Sequence, residues 1–327
     1  MLTPVFEIQI GGIRFRGCHE FKITKSVDEA SVTGKITLPR MVLFDSKQRS
    51  FLSVAKEVKM KDPVTIKAGY KEDEIHQLFT GYVKAVNTGD RVVIDIEDPM
   101  FLLRLKPIVI TKKDVTLKAL LGELVSGTGL SVSGKSADMK IDEFQYNGNV
   151  AGAISKLKES LKLTVYINGS NQVYAGGESM ELLSPEDSPY KLAKLTYGRN
   201  IISNNVEYQT AESKPILIVV KGKKKKGEEV VATAGMDGGD KQTYMRYNVT
   251  DKDTLQQIAD ELYAKQSYTG FRGTLTIFGI PRVVMGGTIQ YRNENYQDVE
   301  GRYFVKGVEI TGGPGGLRQI ATLGYKL

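Results

Sequence analysis

Few residues in this sequence are of a type that could do covalent chemistry. Cys18 is the single cysteine, and His19 and His76 are the only imidazoles. A thiol nucleophile needs a base within hydrogen-bond reach. His19 is its neighbour on what reads as an alternating strand, and so would point to the opposite face. One thiol excludes a disulfide within the chain and fits synthesis in a reducing compartment. One cysteine and two histidines cannot build the usual zinc sites. Asp95, Glu97 and Asp98 form a carboxylate cluster, with Asp95 and Glu97 on one strand face. No second acidic group can be placed opposite them, so they read as a solvated face. The segment Thr311 to Gly316 (TGGPGG) lacks the lysine and following helix of a phosphate-binding loop and reads as a turn. With no nucleophile elbow or dinucleotide fingerprint either, the sequence predicts no enzyme, cofactor or metal.

Charge offers the other candidate chemistry. The formal net charge is +7, and Lys221, Lys223, Lys224, Lys225 and Lys226 lie in one run; removing these five from +7 leaves +2. A duplex-binding surface would spread its cations over a face or along a helix. The run therefore reads as the tip of a hairpin between Pro215–Val220 and Glu228–Ala234, with Glu228 and Glu229 offsetting part of the charge. The sharper reading makes it a contact for an acidic partner, DNA or protein.

The elements that would carry these residues are mostly strands. Val5–Ile10, Gly11-Gly12 and Ile13–Ile23 alternate apolar and polar residues around a tight turn. Ser31–Leu38, Pro63–Tyr70, His76–Val86 and Arg91–Asp98 continue the pattern, separated by turn residues. Phe51–Glu57 fits either a short helix or an extended piece. Thr116 predicts a helix cap before Leu117, Leu120, Leu121 and Leu124, and Asn149 caps a second helix carrying Val150, Ile154, Leu157 and Leu161. Leu163–Ile167 and Gln172–Gly177 form a hairpin. Further on, Thr250 with Asp253 predicts a capping box for a helix to Gln266, and Gly-rich turns separate the last strands. The predicted fold is mainly β, with two β-barrel-like domains flanking a small α+β domain. Its parts are residues 1–105, 106–188 and 189–327, the last with one helix at about 251–266. The chain has 41% hydrophobic residues, enough for a buried core, but no run of the roughly 20 apolar residues that spans a bilayer. The N-terminus lacks a basic n-region, so a signal peptide and membrane insertion are not expected.

Two segments echo each other. Thr65-Ile66-Lys67 is followed by a polar turn and Val83-Lys84-Ala85-Val86. Thr288-Ile289-Gln290 is followed at a similar distance by Val305-Lys306-Gly307-Val308. This predicts two related β units, although hairpins built from common strand residues also look alike. The C-terminal stretch runs from a helix to Gly279-Ile280-Pro281, Gly286-Gly287-Thr288, and then Gly301-Arg302-Tyr303-Phe304-Val305. It resembles the closing segment of the phage late-control protein D family. That family includes the tail hubs of contractile phages and the hub portion of type VI secretion spike proteins. Val64–Tyr70 and Phe79–Val86 add to the resemblance, which spans nearly the whole chain.

The resemblance implies a homotrimer in which two alike units per chain form a ring of six. Such a ring would adapt a sixfold tail tube above to a threefold spike below and contact other baseplate subunits, with the lysine run meeting DNA or tape-measure protein in the lumen or a neighbouring baseplate subunit. The sequence stops at Leu327 with no needle or lysozyme-like region, so the spike is expected to be a separate protein. Assembly in the bacterial cytoplasm and residence in a virion or phage-like particle follow from the same resemblance. Thr65, Lys67, Lys84, Gln290 and Lys306 are the expected ring-interface residues, on strands taken as sheet edges. The alternative is a β-rich nucleic-acid- or polysaccharide-binding protein that uses the lysine hairpin.

Overall fold

The computed structural model describes residues 3–45, 50–161, 163–177, 188–223, 229–247, 251–295 and 300–327. The N-terminal region runs β1 (Pro4–Ile10), β2 (Ile13–Phe15), β3 (Glu20–Ser26), β4 (Thr33–Leu38), β5 (Met41–Asp45), β6 (Ser50–Ser53) and α1 (Val54–Glu57). It ends with β7 (Pro63–Tyr70), β8 (Ile75–Thr88) and β9 (Val92–Glu97). Period-two patterning sets the faces: Phe21 and Ile23 are buried while Glu20 and Lys22 are exposed, as a half-buried strand requires. Gly34 lets β4 lie close to β3, since a Cβ there would sit 2.5 Å from the Lys22 carbonyl oxygen. Phe51–Glu57 is both things the sequence allowed, a strand and then one helical turn. Cys18 and His19 lie in the connection from β2 to β3, not on an alternating strand.

The middle region is α2 (Met100–Arg104), β10 (Pro107–Thr116), α3 (Leu117–Val125), β11 (Ser131–Val132), β12 (Lys140–Asn149), α4 (Val150–Leu161), β13 (Thr164–Ile167) and β14 (Gln172–Gly176). Its helices begin where the sequence predicts. Thr116 Oγ1 accepts from Ala119 N at 3.2 Å, and Asn149 Oδ1 accepts from Gly152 N at 2.8 Å. These caps satisfy donors that the first helical turn leaves unpaired. The predicted leucine stripes of α3 and α4 are buried in this region's own core with Met100 and Leu103 of α2.

The chain then returns to β with β15 (Leu192–Thr196) and β16 (Ile201–Gln209). Next comes an unforeseen insertion of β17 (Ile216–Lys223), β18 (Glu229–Gly235), β19 (Asp240–Tyr247) and α5 (Lys252–Gln266), which has a small core of its own. The β17–β18 hairpin is as predicted, but β19 adds to β17 in parallel. Asp251 caps α5: its carboxylate accepts from Thr254 N at 2.8 Å. The predicted Thr250 cap lies outside the described residues. The chain closes with β20 (Gly270–Phe278), β21 (Thr288–Arg292), β22 (Gly301–Gly313) and β23 (Gly316–Lys326). Gly313 and Gly316 face each other at the predicted TGGPGG turn.

Thirteen strands from both ends of the chain form one continuous sheet. The fold is mainly β, and the pairing among the described residues closes neither β unit on itself. The sheet contains a repeat. In the first unit the spatial order is β3-β4-β9-β8-β7-β1, and in the second it is β16-β20-β23-β22-β21-β15. Counted by appearance within each unit, both orders place the second strand first and run through the third, sixth, fifth and fourth to the first. Only the last pairing differs: β1 is antiparallel to β7, whereas β15 is parallel to β21. β22 and β3 pair and join the units, and a single core takes Ile8, Phe21, Ile36 and Ile66 from one and Leu275, Ile289, Tyr303 and Val308 from the other.

Candidate assembly interface

The join between the units shows what one unit offers the next. The fifth strand, β22, has β23 along one edge. Its other edge is shared end to end: residues 301–304 pair with β21 and residues 307–312 with β3. β8 is the equivalent strand of the first unit. Its residues 75–82 pair with β7 and residues 82–88 with β9, so beyond Val83 the β7-side edge carries no strand among the described residues. The strand equivalent to β3 is β16, which among the described residues pairs only with β20 and leaves its other edge open. The chain therefore presents one unused copy of each half of its own internal joint. An open edge exposes backbone donors and acceptors ready to pair with another strand. Both edges carry polar residues, Lys84, Asn87 and Thr88 on one and Ser203, Asn204, Asn205 and Glu207 on the other, where Ile202 and Tyr208 are exposed beside them. The polar residues suppress unspecific edge pairing.

A buried charge anchors the β8 edge. Glu97 is fully buried, with Arg104 Nε donating to Oε1 at 2.6 Å. Lys84 Nζ lies 3.0 Å from Oε2, within ion-pair range but outside hydrogen-bond geometry, so this oxygen has a charge beside it without a directed donor. Glu97 thus links the sheet edge to α2. Its neighbour Asp98 is also buried and accepts from Val32 N at 2.9 Å and Met100 N at 3.0 Å. Burial pushes the Asp98 carboxyl up to about 7, opposed by those two N–H donors. The solvated-face reading of this cluster is corrected: Glu97 and Asp98 are interior, where a carboxylate needs partners to persist. Cys18 is half-buried, and burial with the Glu20 charge raises its thiol to about 11, the opposite of an activated nucleophile.

The outer face of the sheet is polar and crosses the join. Lys22 on β3 pairs with Glu309 on β22 at 2.7 Å, and Lys35 on β4 lies 3.8 Å from Asp95 on β9. At one end of the join, Gly279 N donates to Tyr70 Oη at 3.1 Å. A Cβ at Gly279 would come within 2.6 Å of Leu317 Cδ2, so only glycine permits this approach. Gln319, almost fully buried, donates to the carbonyls of Phe278 and Pro281 and accepts from Val283 N, each at 3.0 Å. These bonds tie the connection from β20 to β21, which contains the Gly-x-Pro motif, to β23 of its own unit, and the Gly279–Tyr70 bond carries it across to the first unit. Tyr190, Glu74 and His76 pack beside it, with Arg282 over the Tyr190 ring.

The five residues expected on edge strands fare unequally. Thr65 and Lys67 lie on β7 between β1 and β8, and Gln290 lies on β21 between β15 and β22, so none has a free backbone edge. Lys306 lies on β22 and pairs with Asp28 at 2.9 Å. Lys84 alone stands beside an open edge. In the lysine run, Lys221 pairs with Glu229 at 3.0 Å and Lys223 ends β17 opposite Glu229. Lys224, Lys225 and Lys226 lie outside the described residues. No group of three or more His, Cys, Asp or Glu able to hold a metal ion occurs among the described residues. No described helix is long and apolar enough to cross a membrane. The β16 edge escaped the sequence reading; its signal is a strand polar on both faces, Ser203 to Asn205.

No model of a known protein family matches the sequence, and no curated protein does. Solved structures do share the fold. The tail protein from Neisseria meningitidis MC58 is similar with a TM-score of 0.67 at 14% identity, over 98% of this chain and 96% of that one. The 43 kDa tail protein of prophage MuSo2 from Shewanella oneidensis gives 0.64 at 11% identity, over 98% and 97%. The E. coli c3393 protein, a component of the type VI secretion system with structural similarity to T4 bacteriophage tail proteins, gives 0.57 at 9% identity, over 98% and 79%. The chain has the fold of phage tail and type VI secretion components.

Proposed function

We propose that this chain is a structural, non-enzymatic hub of a contractile phage-like baseplate, working as a homotrimeric ring. One observation carries the proposal: the two β units share one connectivity and are joined through β22 and β3, while the equivalent edges of β8 and β16 stand open. Pairing β8 of one copy with β16 of the next repeats the internal joint. A head-to-tail contact of this kind makes either a closed ring or an open filament, depending on rotation. Closure at three chains supplies six alike units, a surface suited to a sixfold tail tube on one side. The elements present once per chain, the middle α+β region and the β17–α5 insertion, suit a threefold spike and other baseplate subunits on the other. The tail and secretion proteins that share the fold support this setting, with assembly in the host cytoplasm before incorporation into the particle.

The test is native mass together with amide exchange. A trimer whose residues 84–88 and 201–209 exchange slowly, and which shows six alike lobes in projection, is the expected result. A chain that stays monomeric at the highest attainable concentration, with both edges exchanging freely, overturns the proposal.

A further inference from the structure

The β5–β6 hairpin is apolar on both faces. Val42 and Leu52 face each other and pack on the shared core. On the opposite face Leu43 stands across from Phe51, with Met41 two residues along the strand. These three are 54%, 62% and 51% exposed. A two-stranded ribbon with a bare apolar face is marginal alone, and contiguous exposed apolar residues mark a contact surface.

The repeat says what covers it. The hairpin lies in the connection from the third to the fourth strand of the first unit. In the second unit the same connection, residues 279–287, is packed away, with Val283 and Val284 buried. It rests on the first unit at the end of that unit's fourth strand and the start of its fifth. Gly279 bonds Tyr70, and Gly279, Ile280 and Arg282 line a narrow cavity with Tyr70, His76 and Leu78. Within the chain, then, the third-to-fourth connection of one unit covers the fourth-strand end of the next. Carrying this relation across a β8–β16 seam brings the hairpin to the end of β21 in the neighbouring copy. An exposed aromatic waits there: Tyr197, 51% exposed, whose N–H donates to the Arg292 carbonyl at 3.0 Å.

We propose that the β5–β6 hairpin is an intersubunit clasp, laying Met41, Leu43 and Phe51 onto the Tyr197–Arg292 corner of a second copy of this chain. The inference rests on the ring reading above and adds to it a residue-level contact outside the strand seam. Buried aromatic and apolar anchors of this kind carry much of an interface's binding energy, in addition to the main-chain hydrogen bonds of an edge-strand seam.

Two measurements test it in the full chain. The first compares the assembly midpoint of the wild type with that of the double variant Leu43→Ser, Phe51→Ser. The midpoint should rise at least tenfold, with the thermal unfolding of the dissociated chain unchanged. The second places cysteines at Leu43→Cys and Tyr197→Cys in a Cys18→Ser background and adds a short bis-maleimide. Covalent dimers and trimers are expected, each single-cysteine variant giving none. If the wild type assembles but the serine variant keeps its midpoint and the cysteine pair does not link chains, the clasp is wrong and the ring stands. If the wild type never assembles, both fall together. Should the serine variant misfold, the cross-link alone decides.

Discussion

Replacing Gln319 by Leu tests whether the β20–β21 connection, which packs on the first unit, is held in place by directed hydrogen bonds from β23. Leucine is close in volume to glutamine, so no cavity opens and the change is confined to polarity. Three bonds are lost: those to the Phe278 and Pro281 carbonyls and the one from Val283 N. Phe278 lies opposite Arg318 in the β20–β23 ladder and keeps neighbouring donors there, which leaves the Pro281 carbonyl and the Val283 N–H as orphans. Each buried group left unpaired costs ~1–3 kcal/mol. Against this, roughly 1 kcal/mol returns from burying carbon in place of an amide. The expected net loss is about 3 kcal/mol, read from urea unfolding at constant slope. Gln319→Glu should cost more at neutral pH, because a carboxylate would face two carbonyl oxygens. Its buried acid would hold its proton above the ordinary glutamate range, so the variant should lose stability as pH rises from acid towards neutral. A leucine variant within 1 kcal/mol of wild type at unchanged slope, or a glutamate variant as stable as wild type at neutral pH, would refute the reasoning.

Asp98 should impose a pH dependence of its own. Its folded pKa is raised to about 7, so its contribution to stability is complete below the ordinary aspartate range and is lost as pH climbs through 7. Unfolding midpoints at pH 5 and pH 8 should fall in that order, and a profile that rises or stays flat would contradict it. Tyr70→Phe removes the acceptor for the Gly279 N–H; about 1–2 kcal/mol should be lost in chemical denaturation, and a neutral result would mean the connection relaxes. Two glycines should respond with opposite signs. Gly34→Ala puts a methyl 2.5 Å from the Lys22 carbonyl oxygen and should destabilise by ~1–3 kcal/mol, whereas Gly122→Ala in α3 meets nothing within 4 Å and should stabilise by ~0.5–1 kcal/mol in the same assay.

What could be read from the sequence was local. Thr116 and Asn149 announce their helices because a cap is settled within four residues, and the leucine stripes behind them follow from period alone. At α5 the neighbouring Thr250 and Asp251 are both good capping types, so local sequence alone does not choose between them. Sheet position is a long-range property. Nothing near Thr65 or Gln290 reveals that β7 and β21 have neighbours on both sides, one of them from another part of the chain. The parallel additions of β15 to β21 and β19 to β17 were hidden for the same reason. Glu97 and Asp98 were misread because a carboxylate at a strand end normally faces water. Their partners come from β8 and α2, and the one local hint is Asp98-Pro99-Met100 leading directly into an apolar helix.

The β3–β22 pairing also has a consequence in time. Phe21 lies opposite Gly312 and Ser26 opposite Gly307, so β3 waits for a partner made far later in the chain. Until β22 leaves the ribosome, β3 is an unprotected edge on a half-built sheet, the kind of surface that templates misassembly. Such distant pairings also make folding slow. A nascent chain truncated before residue 301 should therefore be aggregation-prone even with every earlier element intact, because β3 would have no strand to close its edge.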